Sequence, residues 1–266
     1  MKRILATISF VVFISWLLGA CSGTSNGDAV SRRLTVFAAV SLTDAFTEMG
    51  KAFESEHPGV IVAFNFGGSQ NLRTQIEQGA LADVFASGNG REMDTLAAQK
   101  LVDAGAPKSF LTNQLVIILP ENNPADVVTL DDLARPGLKL VFAAEEVPAG
   151  IYARQVLDNL NGVYGADFKN QVLANVVSNE DNIRQALTKV QLGEADASIV
   201  YVSDAVAVPE LQKIEIPADV NVIAEYPIAP LVESENSDLA NEFIDYVLSP
   251  EGQATLKKWG FTPIVP

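Results

Sequence analysis

Two serines stand where an apolar run meets a helical pattern, and each can offer a hydroxyl beside free backbone N–H groups. Leu34-Thr-Val-Phe-Ala-Ala-Val-Ser41 leads into Leu42, Ala45, Phe46, Met49 and Phe53 at helical spacing. Val60-Ile-Val-Ala-Phe-Asn-Phe-Gly-Gly-Ser69 leads into Leu72, Gln75 and Ile76. A helix start leaves several N–H groups without partners and carries the positive end of the helix dipole, so each junction suits an anion. The serines are equally suited to be helix caps, and that role accounts for either junction taken alone. Gly67-Gly68 would let the backbone approach a ligand closely at the second one.

Matching donors recur in the second half. Glu146-Val-Pro-Ala-Gly-Ile-Tyr-Ala153 follows the apolar Leu138 to Ala144 stretch and opens a helix through Val156, Leu157 and Leu160. Pro148 fits the first turn, where its missing N–H costs nothing, and leaves the N–H groups of Ala149 and Gly150 free. Ser178-Asn-Glu-Asp181 reads as the cap of a helix with Ile183, Ala186, Leu187 and Val190 on one face. A buried strand from Ala197 ends at Tyr201, whose phenol can donate from an apolar wall. Each of these also has a plain structural account: a helix start, a cap, a core tyrosine.

The elements that must hold these groups alternate, which points to an α/β chain with largely parallel sheets. Strands are expected near 34–39, 59–65, 83–87, 114–119, 138–143, 173–177, 197–201 and 221–232. Helices are expected near 42–56, 69–78, 91–99, 130–134, 149–160, 181–192, 203–207, 237–248 and 250–258. Thr112 to Pro120 and Glu225 to Pro230 could carry the chain between two lobes. Residues 33–112 plus 228–266 would then form lobe 1 and residues 113–227 lobe 2, with a ligand in the cleft outside the strands' carboxyl ends.

Lys2-Arg3 precede an apolar run from Ile4 to Leu18 and then Leu18-Gly-Ala-Cys21, the pattern of a signal peptide over residues 1–20. Leu-Gly-Ala-Cys resembles the lipobox of bacterial lipoproteins, which implies lipidation at Cys21 and an extracytoplasmic, lipid-anchored protein. Cys21 is the only cysteine, so a disulfide or a cysteine cage is not available to the rest of the chain. Residues 21–32 are small and polar, a flexible tether with a reach of roughly 20 Å. The formal net charge is −15, and loss of Lys2 and Arg3 makes it two units more negative. Such a surface argues against nucleic acid or anionic lipid as partner, and an anion site must work through oriented donors at short range.

Taken together, the motifs resemble the substrate-binding proteins of molybdate ABC importers. The likeness covers nearly all of residues 33–266. It rests on Val36-Phe-Ala-Ala-Val-Ser-Leu-Thr43, Gly68-Ser-Gln-Asn-Leu-Arg-Thr-Gln-Ile-Glu-Gln-Gly79 with Ala82-Asp-Val-Phe85, and Val147-Pro-Ala-Gly-Ile-Tyr-Ala153. Glu180-Asp-Asn-Ile-Arg184, Ile199-Val-Tyr-Val-Ser-Asp-Ala205 and Lys258-Trp-Gly-Phe-Thr262 complete it. The resemblance implies a two-lobed periplasmic-binding-protein fold (type II-like), each lobe a mostly parallel sheet flanked by helices. It implies the substrate-binding component of an ABC importer, a monomer that captures molybdate, and tungstate with it, for a membrane permease and its ATPase. No enzyme activity and no cofactor are implied, and molybdenum would be held only as its oxyanion, without a direct protein ligand. The holding groups it implies are the hydroxyls and N–H groups of Ser41 and Ser69, the N–H groups of Ala149 and Ile183, and the hydroxyl of Tyr201. Ile183 enters only in this way, since its own pattern reads as core. The chain departs from the family at Asn65-Phe-Gly-Gly68, where a hydroxyl-rich run is common, and at Ile183, where Val is frequent.

The chemistry agrees with donors alone. Molybdate, tungstate and sulfate carry no proton at neutral pH, whereas phosphate keeps one and needs an acceptor. Asp44, Asp181 and Asp204 each read as first-turn residues that complement a helix dipole. His57 reads as a loop histidine, and Arg73, Arg154 and Arg184 as solvated helix residues. Ser87-Gly-Asn-Gly90 lacks the Lys-Ser/Thr of a phosphate loop. A serine hydrolase is the rival enzyme reading, and the chain has no Gly-x-Ser-x-Gly elbow and no base placed for one. A binding protein for sulfate, thiosulfate or a small organic anion in the same fold is the rival within binding proteins.

Overall fold

The computed structural model describes residues 32–264. The expected signal peptide (1–20), Cys21 and the tether up to residue 31 lie outside the described residues. Strand β1 (Arg32–Ala39) begins where Arg32 pairs with Val60 and its guanidinium meets Asp238. A short 3-10 turn (Val40–Leu42) leads to α1 (Thr43–Glu56), followed by β2 (Val60–Gly67), α2 (Ser69–Glu77), β3 (Val84–Ala86) and α3 (Gly90–Ala98). Next come β4 (Lys108–Asn113), β5 (Leu115–Leu119), β6 (Leu140–Ala143), α4 (Pro148–Tyr164), α5 (Phe168–Ala174), β7 (Val176–Glu180) and α6 (Ile183–Gln191). The remainder is β8 (Ser198–Tyr201), α7 (Val202–Val206), β9 (Gln212–Glu215), β10 (Ala224–Pro230), α8 (Ser237–Leu248), α9 (Pro250–Lys258) and β11 (Thr262–Pro263).

Six strands form one sheet in the order β11-β4-β10-β3-β1-β2. The others form β8-β5-β9 and the pair β6-β7, tied by a parallel bridge between Leu140 of β6 and Ala197 beside β8. The sheets are mixed, which corrects the expectation that each is mostly parallel. β1 runs parallel to β2 and β3, and β6 to β7, but β10, β4 and β11 are antiparallel neighbours, as are β8, β5 and β9. Leu115-Val-Ile-Ile-Leu119 is buried throughout, as a central strand of either kind would be, so its composition does not reveal its direction. Only Gln114 separates β4 from β5, so the chain leaves the first sheet and enters the second almost at once.

One expected strand is replaced, and other strands were not expected at all. A strand expected near 173–177 is the end of α5 followed by β7, and polar β4 and β9 carry too little apolar signal to be seen in the sequence. The helical spacing after Ser41 does build α1, which buries Ala45, Phe46, Met49 and Phe53. Phe46 packs against Phe64, Phe110 and Phe243 with ring centroids about 6 Å apart, at the centre of the first core. A truncation there removes about 3–5 kcal/mol.

Candidate functional site

The parallel register decides where the two serines go. Ala39 sits opposite Gly67, so Ser41 and Ser69, each two residues further on, leave the sheet side by side. Neither serine is a side-chain cap. Ser41 lies within the 3-10 turn, α1 is capped by Leu42, and Gly68 stands at the cap of α2 with Ser69 as its first residue. The hydroxyls are instead engaged elsewhere. Ser69 Oγ accepts from the Gly88 N–H at 3.0 Å, and Ser41 Oγ lies 3.0 Å from Tyr226 Oη. The cap expected at Ser178–Asp181 is Asn182, whose Oδ1 accepts from the Gln185 N–H at 3.1 Å, because Ser178 to Glu180 belong to β7.

The second sheet delivers the other donors from the same kind of position. Ala143 of β6 pairs with Glu180 of β7, and the chain then turns into α4 and α6 respectively. Pro148 opens α4 as expected, and Gly150 is required by space: a Cβ there would overlap the carbonyl oxygens of Ala143 and Ala144. Ile183 is the first residue of α6, and Tyr201 ends β8. Ser41, Ser69, Ala149, Ile183 and Tyr201 all line one cavity of about 230 Å³, mouth included, together with Gly67, Gly88 and Pro148. Every residue that lines it is neutral. Burial holds the Tyr201 phenol well above its usual pKa, so it keeps its proton, and its Oη is buried with no partner. A buried hydroxyl left unpaired is costly, and an anion in the cavity would supply the missing acceptor.

The arginines are not solvated. Arg184 donates through Nε to Asp204 and through Nη2 to Asp44, each at 2.6 Å, and so ties α6 to α7 and to α1 on the other sheet. Asp204 is fully buried; burial raises its pKa above the usual carboxylate value although Arg184 opposes the shift. Burial works against the charge of Arg184 as well, but Asp204 and Asp44 prevail and raise its pKa. Arg73 pairs with Glu92 and Glu77, and Arg154 with Glu145 and Asn179. Gly68 approaches Asp181 so closely that a Cβ would lie 2.6 Å from its carbonyl oxygen, which also accepts from Gln70 Nε2 at 2.9 Å. Gly88, Tyr226 and Arg184 were not legible as site neighbours, because each acts through a partner distant in sequence. Among the described residues no group of three His, Cys, Asp or Glu side chains could hold a metal ion.

Residues 34–262 match the family of bacterial extracellular solute-binding proteins. The chain belongs to that family. This solute-binding protein is 39% identical over 232 residues to the molybdate-binding protein ModA of Mycobacterium tuberculosis, covering 87% of this chain and 85% of that one. It is 35% identical over 244 residues to the Escherichia coli molybdate-binding protein ModA, covering 89% and 91%. Among solved structures, the substrate-binding domain of a putative molybdenum ABC transporter from Clostridium difficile superposes with a TM-score of 0.66 at 30% identity, covering 88% of this chain and all of that one. The solute-binding protein works outside the cytoplasm, as its family does, and its relatives are transport components rather than enzymes.

Proposed function

We propose that this protein captures molybdate, and tungstate with it, in the cavity between its two sheets and presents it to an ABC permease with its ATPase. The observation that carries this reading is the donor set: serine hydroxyls, helix-start N–H groups and a buried phenol meet in one neutral cavity. A dianion without protons needs only donors, and each hydrogen bond to a charged oxygen contributes about 1.5–3 kcal/mol. Half a dozen of them offset the several kcal/mol needed to desolvate the ion. The relatives named molybdate-binding support the choice of ion. Residues 33–112 with 228–266 and residues 113–227 act as the two lobes of a monomer, and Cys21 carries a lipid that holds it at the membrane.

Thermal melts with a panel of oxyanions test the ion. At molybdate about a thousandfold above Kd the gain is about 4 kcal/mol, or about 8–16 °C in Tm for a chain of this size. Tungstate should match it, while sulfate and phosphate shift Tm weakly; an equal shift from sulfate would overturn the assignment. The anchor has its own test. Cys21→Ala should release a soluble or unprocessed form from the membranes of a bacterial host, and unchanged membrane association would remove the lipid from the proposal.

A further inference from the structure

A serine hydroxyl has one proton and two lone pairs, so it can serve an anion as donor only if that proton turns toward the anion. What meets the serine oxygen from behind decides the direction. Ser69 Oγ receives the Gly88 N–H at 3.0 Å, and an amide nitrogen has no lone pair to offer in return. Its polarity is therefore fixed: one lone pair of Ser69 is occupied by the amide and its proton is left for the cavity.

The same arrangement recurs at Ser41 with a side chain in place of the backbone. Tyr226 Oη lies 3.0 Å from Ser41 Oγ, with the side chains of Tyr201 and Asn113 also beside it. Tyr226 is fully buried on β10, so its proton needs an acceptor inside the protein. Burial also holds its pKa far above the ordinary value, so the proton is always there to give.

We infer that Tyr226 is a positioning residue that donates to Ser41 Oγ, turns the Ser41 proton into the cavity, and thereby disfavours oxyanions that carry a proton. An oxyanion with an O–H group must place that hydrogen on an acceptor. The cavity lining carries no carboxylate, and each serine already spends one of its two lone pairs on a donor behind it, so an incoming O–H has only the remaining one to meet. The inference rests on the reading of this cavity as an oxyanion site and adds how the site reads the proton state of its ion. Sequence could not show it, since 185 residues separate Ser41 from Tyr226.

Titration calorimetry near neutral pH tests it on the wild type, Tyr226→Phe, Ser41→Ala and the double variant. Molybdate is the proton-free probe. Arsenate, tetrahedral and protonated at that pH, is the other, read by competition up to saturating concentration. Tyr226→Phe should weaken molybdate by about three- to tenfold. Arsenate should weaken less or bind better, because Ser41 is then free to accept. The molybdate-to-arsenate ratio of affinities therefore falls by about threefold or more. In the Ser41→Ala background the same substitution should leave the ratio unchanged. Equal weakening of both ions, or the same change without the serine, would mean that Tyr226 only packs, and would overturn the inference. Failure of the wild type to bind molybdate overturns instead the reading of the site. Should Tyr226→Phe not fold, 3-fluorotyrosine at position 226 alone keeps ring and hydroxyl while making a stronger donor. The ratio should then rise, and an unchanged or lower ratio refutes the role.

Discussion

Tyr201 and Ser69 differ in what they do when the cavity is empty, and that difference makes them separable from scaffold residues. Tyr201 Oη is buried without a partner, so Tyr201→Phe removes a group that costs the unliganded protein stability. Its melting temperature should hold or rise, while molybdate binding weakens by about 1.5–3 kcal/mol, or roughly 10- to 150-fold in Kd. Ser69→Ala should cost the same in binding. It also takes the acceptor from the Gly88 N–H, so the unliganded protein should lose about 1 kcal/mol, the low end for an orphaned donor because the cavity mouth admits water. Calorimetry and melts on both variants check this; intact affinity in both would remove them from the site. Ser41, Ser69, Ala149 and Tyr201 each stand at the end of an apolar run, a local signal in the sequence, and the fold brings all four to one cavity. Ile183 carries no such signal, because its side chain is 3% exposed and reads as core. Gly88, Tyr226 and Arg184 escape a local reading for a different reason: their partners Ser69, Ser41 and Asp44 lie 19, 185 and 140 residues away.

The elements place the donors through strand direction. Ser41, Ser69, Ala149 and Ile183 follow strands with a parallel neighbour, β1 and β2 on one side and β6 and β7 on the other, whereas Tyr201 ends β8, which pairs antiparallel with β5. The antiparallel strands β4, β5 and β10 stand beside them and contribute no residue to the cavity lining. Periodicity gave these strands their positions but not their directions, since direction depends on which neighbour a strand finds. The first turn of α6 is held by one side chain, Asn182, which caps it. Asn182→Ala should lower unliganded stability by about 0.5–2 kcal/mol and loosen the turn that carries the Ile183 N–H. Molybdate affinity should fall with it, and Asn182→Ser should restore most of both. A loss of stability with affinity untouched would show that the Ile183 N–H does not reach the ion.

At the scale of the molecule, the two sheets are joined at the cleft by Arg184, which reaches Asp204 on its own side and Asp44 on α1 across the gap. The two carboxylates are not equivalent. Asp44 has a side chain 32% exposed, and solvent there keeps the pair with Arg184 weak, so Asp44→Asn should change stability by no more than about 1 kcal/mol. Asp204 is fully buried with Oδ2 unpartnered, and burial raises its pKa above the ordinary value near 3.9. Between that ordinary value and the raised one, the folded chain holds a proton that the unfolded chain has released. The stability linked to this proton is therefore fully present below about pH 4 and is lost as pH rises through the folded pKa. Asp204→Asn cannot titrate there, so it serves as the reference. The stability of the wild type relative to Asp204→Asn should decline between about pH 4 and pH 7, measured by melts of the unliganded proteins at both ends. Were it to increase instead, Arg184 would be holding Asp204 ionised with a lowered pKa, and the contact between α6 and α7 would be a full ion pair that gains strength as acid is removed.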